Sequence, residues 1–101
     1  MKTYTVPHTT IEVSSVILGL MRIAEMSDSE IRKLFDTALD CGINMFDHAD
    51  IYGDTLHRCE ERFGTALNLS AKDRSEILIQ SKVGIRKGFF DFSYDHILKN
   101  V

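Results

Sequence analysis

Residues 46–53, "FDHADIYG", concentrate ionisable side chains directly after an apolar run. Asp47, His48, Asp50 and Tyr52 lie within six positions, and Lys82 ends a second apolar run further along the chain. Carboxylates, a phenol and an ammonium group can transfer or stabilise protons when they are held close together. The same stretch also contains groups that bind metals, and Asp is common in ordinary polar turns. The elements that position these residues therefore decide between catalysis, metal binding and a plain loop.

The chain alternates between strand-like and helix-like patterns. "KTYTV" and "IEV", separated by "PHTT", predict an N-terminal β-hairpin. Continuous apolar runs at 16–20 and 43–46, and the segment 76–83 with Ile77, Leu78 and Ile79 inside, predict three buried strands. Helices are expected after each of these strands, at 27–42, 55–69 and 93–101.

Local signals mark the predicted helices. Ser27 and Glu30 form a capping-box pattern, Gly42 is a suitable C-terminal cap, and Ser93 is a second N-cap. Apolar residues follow at helical spacing on both longer helices, and "RKGFFDFS" reads as a polar turn. The expected buried positions are Ile31, Leu34, Phe35, Ala38 and Leu39 on the first helix and Leu56, Cys59, Phe63 and Leu67 on the second, where Glu60, Glu61 and Arg62 should be largely solvated.

A β-α-β-α-β-α order predicts a parallel α/β sheet with right-handed crossovers. The doubly wound dinucleotide-binding fold would carry G-x-G-x-x-G after the first strand, but "GLMRIA" has one glycine only. A (β/α)8 barrel instead gathers its chemistry at the C-terminal ends of several strands. Asp47 and Lys82 end two successive strands, so both should face the same rim. The pattern therefore favours the barrel.

The length of the chain limits this fold. A complete barrel needs about 250 residues, whereas this chain has 101. We therefore expect residues 1–101 to form a single partial domain, consisting of the first three β/α units of an incomplete (β/α)8 TIM barrel with an N-terminal β-hairpin. Three strands leave unpaired edges, through which the chain could self-associate.

Composition excludes several classes of protein. The chain is 44% hydrophobic and 27% charged, with a net charge of −3, and it has no basic stripe of the kind that binds nucleic acid. No apolar run approaches the length of a membrane span, and no signal peptide is evident, so we expect a cytoplasmic protein. Cys41 and Cys59 lack the spacing of zinc or redox motifs and read as unpaired thiols.

The stretches "GINMFDHADIYG" and "ILIQSKVGI" resemble the aldo-keto reductases, most closely a bacterial oxidoreductase branch in which other members have a small residue in place of His48. The resemblance covers nearly the whole chain and matches about the first two-fifths of such an enzyme. It implies an oxidoreductase that uses NADPH to reduce a small-molecule carbonyl substrate, an aldehyde or a ketone, to an alcohol. It also implies a (β/α)8 barrel with the hairpin at its base.

The resemblance also implies the site residues. Asp47, Tyr52 and Lys82 match three of the family's four catalytic residues, while the fourth, a histidine after the next strand, would lie beyond Val101. His96 is no substitute, because it falls in the preceding helix. Gly19, Met21 and Arg22 match the segment beside the nicotinamide, and Asp47 also belongs to the cofactor site. Because the histidine is missing, we expect the isolated chain to be inactive.

The implied chemistry explains these residue types. Transfer of a hydride to a carbonyl builds negative charge on the oxygen, which must be protonated or stabilised as it forms. A phenol can donate that proton, and a nearby ammonium group stabilises the resulting phenolate. Lys82 would supply this positive charge to Tyr52, and Asp47 would hold Lys82 in place.

Two other functions remain open from the sequence. A metal site could form around Asp47, His48 and His57, although Asp47 and His48 are adjacent in a strand and should point to opposite faces. A non-catalytic binding or regulatory module on the same fold is the other alternative, and it would be favoured by loss of Tyr52 or Lys82, both of which are present.

Overall fold

The computed structural model describes residues 1–101. An antiparallel hairpin opens the chain, formed by β1 (Thr3–Thr5) and β2 (Glu12–Ser14). Asn44 fastens this otherwise exposed hairpin to the rest of the molecule. Its side-chain oxygen accepts from the Ser14 amide at 2.9 Å, and its side-chain nitrogen donates to the Glu12 carbonyl at 2.9 Å. The predicted hairpin is therefore confirmed, and a polar anchor rather than an apolar face attaches it.

Three short parallel strands form the central sheet in the order β3-β4-β5. They are β3 (Leu18–Gly19), β4 (Met45–Asp47) and β5 (Leu78–Gln80), all shorter than the apolar runs that predicted them. Gly19, Asp47 and Gln80 are register partners across the sheet, so the last residues of the three strands lie in one row. The sheet is open, with β3 and β5 at its edges.

A serine is the N-cap residue of three of the four α-helices. The oxygens of Ser27, Ser70 and Ser93 each accept a hydrogen bond from the backbone amide three residues later, which satisfies one of the free N–H groups of the first turn. The short helix after Ser70 was not predicted from the sequence. The helices are α1 (Asp28–Asp40), preceded by a 3-10 turn (Ile23–Glu25), α2 (Arg58–Leu67), α3 (Ala71–Ser75) and α4 (Tyr94–Asn100).

Gly42 ends α1 as the sequence predicts. Its φ is +86°, and its amide bonds the Leu39 carbonyl at 2.9 Å while the Ile43 amide bonds the Ala38 carbonyl at 2.9 Å. These two bonds are those of a Schellman cap, which requires a left-handed residue at this position. The chain therefore turns sharply from α1 into β4.

The core lies between the sheet and the helices α1 and α2. Three aromatic rings form its centre, with ring-centroid distances of 5.1 Å for Phe35–Phe46, 5.5 Å for Phe46–Phe63 and 6.0 Å for Phe35–Phe63. The remaining members of this buried cluster are Leu20, Ile23, Ile31, Ala38, Cys59, Leu67 and Ile77.

Four expectations about burial are wrong. Leu39 is 41% exposed because it lies on the flank of α1, and Leu56 is 53% exposed because α2 begins only at Arg58. Ile79 points to the same face of the sheet as its register partner Phe46, but it is 38% exposed because β5 is the edge strand and leaves it only partly covered. Arg62 is not solvated, since its guanidinium lies against the loop before α1 with a side chain only 14% exposed.

The segment that reads as a polar turn is a second hairpin. Strands β6 (Ile85–Arg86) and β7 (Phe89–Phe90) pair antiparallel. Gly88 adopts a φ of +85° in the turn between them, a conformation that glycine adopts without steric cost. None of the helices combines the length and the apolar composition that a membrane-spanning helix needs.

Candidate functional site

The site lies at the row of strand ends, where Asp47 and Lys82 meet. Asp47 is the last residue of β4, and Lys82 follows β5 by two residues. The Lys82 Nζ lies 2.8 Å from each carboxylate oxygen of Asp47 and 2.6 Å from the His48 carbonyl oxygen. Both residues reach the same edge because parallel strands end together. The structure therefore brings together two residues that are 35 positions apart in the sequence.

Tyr52 completes this cluster from the loop after β4. Its phenolic oxygen accepts a hydrogen bond from the Lys82 Nζ at 3.3 Å, and the same nitrogen lies 4.9 Å from the centre of the ring. The backbone of Tyr52 is fixed at both ends, since its amide bonds the Ala49 carbonyl at 3.1 Å and its carbonyl accepts from the Cys59 amide at 3.0 Å. One ammonium group thus contacts both the carboxylate and the phenol.

Electrostatics keep Lys82 charged. Burial lowers the pKa of its ammonium group, but hydrogen bonds to Asp47 and Tyr52 and the negative charge of Asp47 outweigh that effect and raise the pKa above its usual value. Lys82 is therefore a fixed positive charge beside the phenol at neutral pH. A group that develops negative charge next to it would be stabilised.

Gln80 is a residue of the site that sequence reasoning missed. Its side-chain nitrogen donates to Asp47 Oδ1 at 2.6 Å. The alternation of strand side chains could have revealed it, since Gln80 lies two residues before Lys82 and points to the same face. Only the register of β4 against β5 shows that this face meets Asp47.

Met21 and Arg22 lie across a cleft from Tyr52. The cleft has a volume of about 560 Å³ and is also lined by residues of the 3-10 turn and of the loop 51–54. Cys59 of α2 contacts both sides of this cleft. Its thiol lies 3.6 Å from the Met21 carbonyl oxygen, and its backbone amide donates to the Tyr52 carbonyl oxygen. Gly19 lies in the row of strand ends beside Asp47, and a Cβ built there would meet nothing within 4 Å.

His48 occupies the opposite side of the sheet from Asp47. Its ring packs edge-on against Phe63, with centroids 4.9 Å apart, and the side chain is only 2% exposed. Burial lowers the pKa of its imidazole, and the nearby carboxylates of Glu60 and Asp47 only partly offset this. Its Nδ1 is buried without a hydrogen-bond partner. His48 therefore packs as a neutral aromatic ring.

The residues of the alternative metal site do not converge. Asp47 faces Lys82, His48 faces Phe63, and His57 Nδ1 lies 2.6 Å from the Glu60 carboxylate. No group of three or more His, Cys, Asp or Glu side chains is arranged to hold a metal ion.

The Glu60 carboxylate is stabilised by its neighbours. Burial raises the pKa of Glu60, but hydrogen bonds from Ser81 and His57 outweigh this effect, so the pKa of Glu60 is lowered.

Comparisons with known proteins agree on one family. The family model described as "Aldo/keto reductase family" matches residues 15–101. The uncharacterized oxidoreductase YcsN of Bacillus subtilis (strain 168) is 40% identical over 103 residues, covering 90% of this chain and 34% of that protein. The chain thus spans about a third of the length of this curated relative.

Solved structures show the same relationship. A candidate aldo-keto reductase from Pseudomonas aeruginosa superposes with a TM-score of 0.79 at 33% identity, covering 97% of this chain and 39% of that one. The holo form of an aldo-keto reductase from Bacillus halodurans superposes with a TM-score of 0.77 at 28% identity, covering 98% of this chain and 33% of that one.

Proposed function

Because the chain belongs to the aldo/keto reductase family, we propose that it forms the N-terminal part of an NADPH-dependent oxidoreductase that reduces aldehydes or ketones to alcohols. In this proposal residues 1–101 are one partial domain, the first three β/α units of a (β/α)8 barrel. The observation that supports it most is the single Lys82 ammonium group in contact with both Asp47 and Tyr52.

Each residue has a distinct role in the proposed reaction. Tyr52 donates its phenolic proton to the carbonyl oxygen of the substrate as negative charge develops there. Lys82 stabilises the phenolate that remains, and Asp47 holds the ammonium group in place through two 2.8 Å contacts. Solvent then returns a proton to the tyrosine.

The cleft beside Tyr52 fits the nicotinamide end of the cofactor. Its volume of about 560 Å³ lies within the range typical of small-molecule sites, and it opens next to the phenol. Met21 and Arg22 line this cleft, whereas Gly19 and Asp47 lie in the row of strand ends; together these four residues would hold the ring, and no atom crowds the space beside Gly19. When bound, the nicotinamide supplies the hydride, while the protein orients it and controls the proton.

The 101-residue chain by itself is proposed to be inactive. The central sheet is open at both edges, and the side chain of Lys82 is 47% exposed. Water therefore reaches the charged groups and weakens the electrostatic stabilisation on which the proton transfer depends. Self-association through the open edges of the sheet would cover part of this surface.

An NADPH titration of the purified chain, followed by nicotinamide fluorescence, tests the proposal. We expect saturable binding that Tyr52→Phe leaves nearly intact, because Tyr52 acts in proton transfer. Tyr94→Phe is the matched control, since Tyr94 is 76% exposed and lies outside the site. If millimolar NADPH gives no binding to any of the three proteins, these residues do not form the cofactor site in this chain.

A turnover assay with an aldehyde and NADPH accompanies the titration. Binding without turnover is the expected result for the chain alone. Carbonyl reduction by the monomeric chain, with loss of activity in Tyr52→Phe, would support the assigned role of Tyr52 but contradict the proposed inactivity.

A further inference from the structure

Gln80 lies beside the charged pair without an assigned role. It is the last residue of β5 and the register partner of Asp47, and its amide nitrogen lies 2.6 Å from Asp47 Oδ1. We infer that Gln80 is a positioning residue that fixes the plane of the Asp47 carboxylate, so that both carboxylate oxygens face the Lys82 ammonium group. This inference rests on the proposed function, in which that ammonium group serves Tyr52.

The geometry of the pair requires such a restraint. The terminal torsion of an aspartate side chain is broad, so a carboxylate can turn easily about its last bond. Both Asp47 oxygens nevertheless lie 2.8 Å from the Lys82 Nζ. Water and salt weaken an ion pair between side chains that are 21% and 47% exposed. The Lys82 ammonium group is also held by the His48 carbonyl at 2.6 Å, whereas Gln80 is the other side chain that bonds the Asp47 carboxylate. A lateral hydrogen bond to one oxygen removes the rotation.

Strand β5 fixes the position of Gln80 beside the Asp47 carboxylate. Gln80 and Lys82 lie two residues apart at the end of β5 and point to the same face, so the amide and the ammonium group approach Asp47 from one side. The Gln80 amide donates no other side-chain hydrogen bond. It is therefore a neutral donor directed at the carboxylate, and it adds no charge that would compete with Lys82.

Several titratable side chains surround Lys82, and they must stay unchanged when the pKa of Lys82 is compared between variants. Asp47 and Tyr52 contact its ammonium group directly. The other titratable side chains lining the cleft that contains Lys82 belong to the loop after β4, to α2 and its N-cap, and to α4; they are Asp50, His57, Glu60 and Lys99. Gln80→Met leaves all of these groups unchanged and adds no charge, so a change in the titration of Lys82 in this variant reports on the Asp47 carboxylate.

The experiment is a pH titration of the Lys82 ε-carbon by ¹³C NMR, without cofactor, in the whole chain. The signal is assigned by its absence in Lys82→Arg. We expect a lower Lys82 pKa in Gln80→Met, which keeps the length of the side chain but removes the donor, because a rotating carboxylate stabilises the ammonium group less. Gln80→Glu should instead raise the Lys82 pKa above that of Gln80→Met, because it places a second carboxylate on the same face.

Ile79→Met is the matched control, since it introduces the same side chain one position earlier, on the opposite face of β5. It should titrate like the parent chain. An unchanged Lys82 pKa in Gln80→Met overturns the inference, and so does an equal decrease in Ile79→Met, which would indicate general loosening of the strand. The titration needs no NADPH, so failed cofactor binding together with a lowered pKa in Gln80→Met would reject the proposed function and leave the positioning role intact.

Discussion

Replacing Phe46 with leucine tests the packing that supports the site. Phe46 is 0% exposed and directly precedes Asp47 on β4, and its ring contacts Phe35 at 5.1 Å and Phe63 at 5.5 Å between centroids. An aromatic pair contributes about 0.5–1.5 kcal/mol beyond the area that it buries, so losing two pairs should cost about 1–3 kcal/mol. Against a total stability of about 5–15 kcal/mol for a domain of this size, that is a large fraction.

Urea unfolding followed by far-UV circular dichroism measures this change in the free energy of unfolding. Phe90→Leu is the matched control, because Phe90 is 71% exposed on β7 and pairs with one ring only, that of Phe92 at 6.4 Å between centroids, so it should cost about 0.5 kcal/mol, the lower end of the range for one aromatic pair. Equal losses in the two variants, or a loss below about 0.5 kcal/mol in Phe46→Leu, would refute the assignment of the three rings as the centre of the core.

Two further predictions concern residues that surround the site. Burial lowers the pKa of His48 from 6.5, so its imidazole binds a proton more readily in the unfolded chain than in the folded one. The free energy of unfolding should therefore fall as the pH drops from about 7 through 6.5 towards the folded-state pKa of His48. Urea unfolding at several pH values should show this decline, and His48→Leu should reduce it; an identical decline in the variant would assign it to other groups. Arg62→Met should cost about 1–3 kcal/mol, because the Arg62 guanidinium contacts the Asp28 carboxylate at 2.7 Å and the Met26 carbonyl at 2.8 Å in a half-buried position. Arg32→Met, which removes an exposed ion pair with Asp36 and a long, 3.4 Å hydrogen bond to the Leu67 carbonyl, should cost about 0.5 kcal/mol in the same urea assay, and a similar loss in both variants would contradict the role given to Arg62.

Much of the local structure could be predicted from the sequence. Ser27 and Gly42 were identified as the two ends of α1, and Ser93 as the start of α4. These signals depend on hydrogen bonds between residues three to five positions apart, which the chain order alone specifies. The parallel order of the three strands also followed, because helical segments separate them.

Burial at the edges of elements could not be predicted in this way. Leu39, Leu56 and Ile79 fit the periodic patterns yet are exposed, since each lies where a helix flank or a sheet edge has no neighbour in this chain. Arg62 showed the reverse, because a charged residue on a helix was buried by a loop more than 30 positions away. Periodicity describes one element at a time, whereas burial depends on what packs against it.

The candidate site likewise has features that the sequence determines and features that only the tertiary structure determines. The sequence alone placed Asp47 at the end of one strand and Lys82 at the end of the next, and hence both at one rim; in the structure Asp47 does end β4, whereas β5 ends at Gln80 and Lys82 lies two residues beyond it. Only the tertiary structure decided that one ammonium group contacts both Asp47 and Tyr52, and that Gln80 bonds the same carboxylate. Those contacts span 30 to 35 positions and depend on strand register, in which a shift of one residue would turn Gln80 and Lys82 to the opposite face of the sheet.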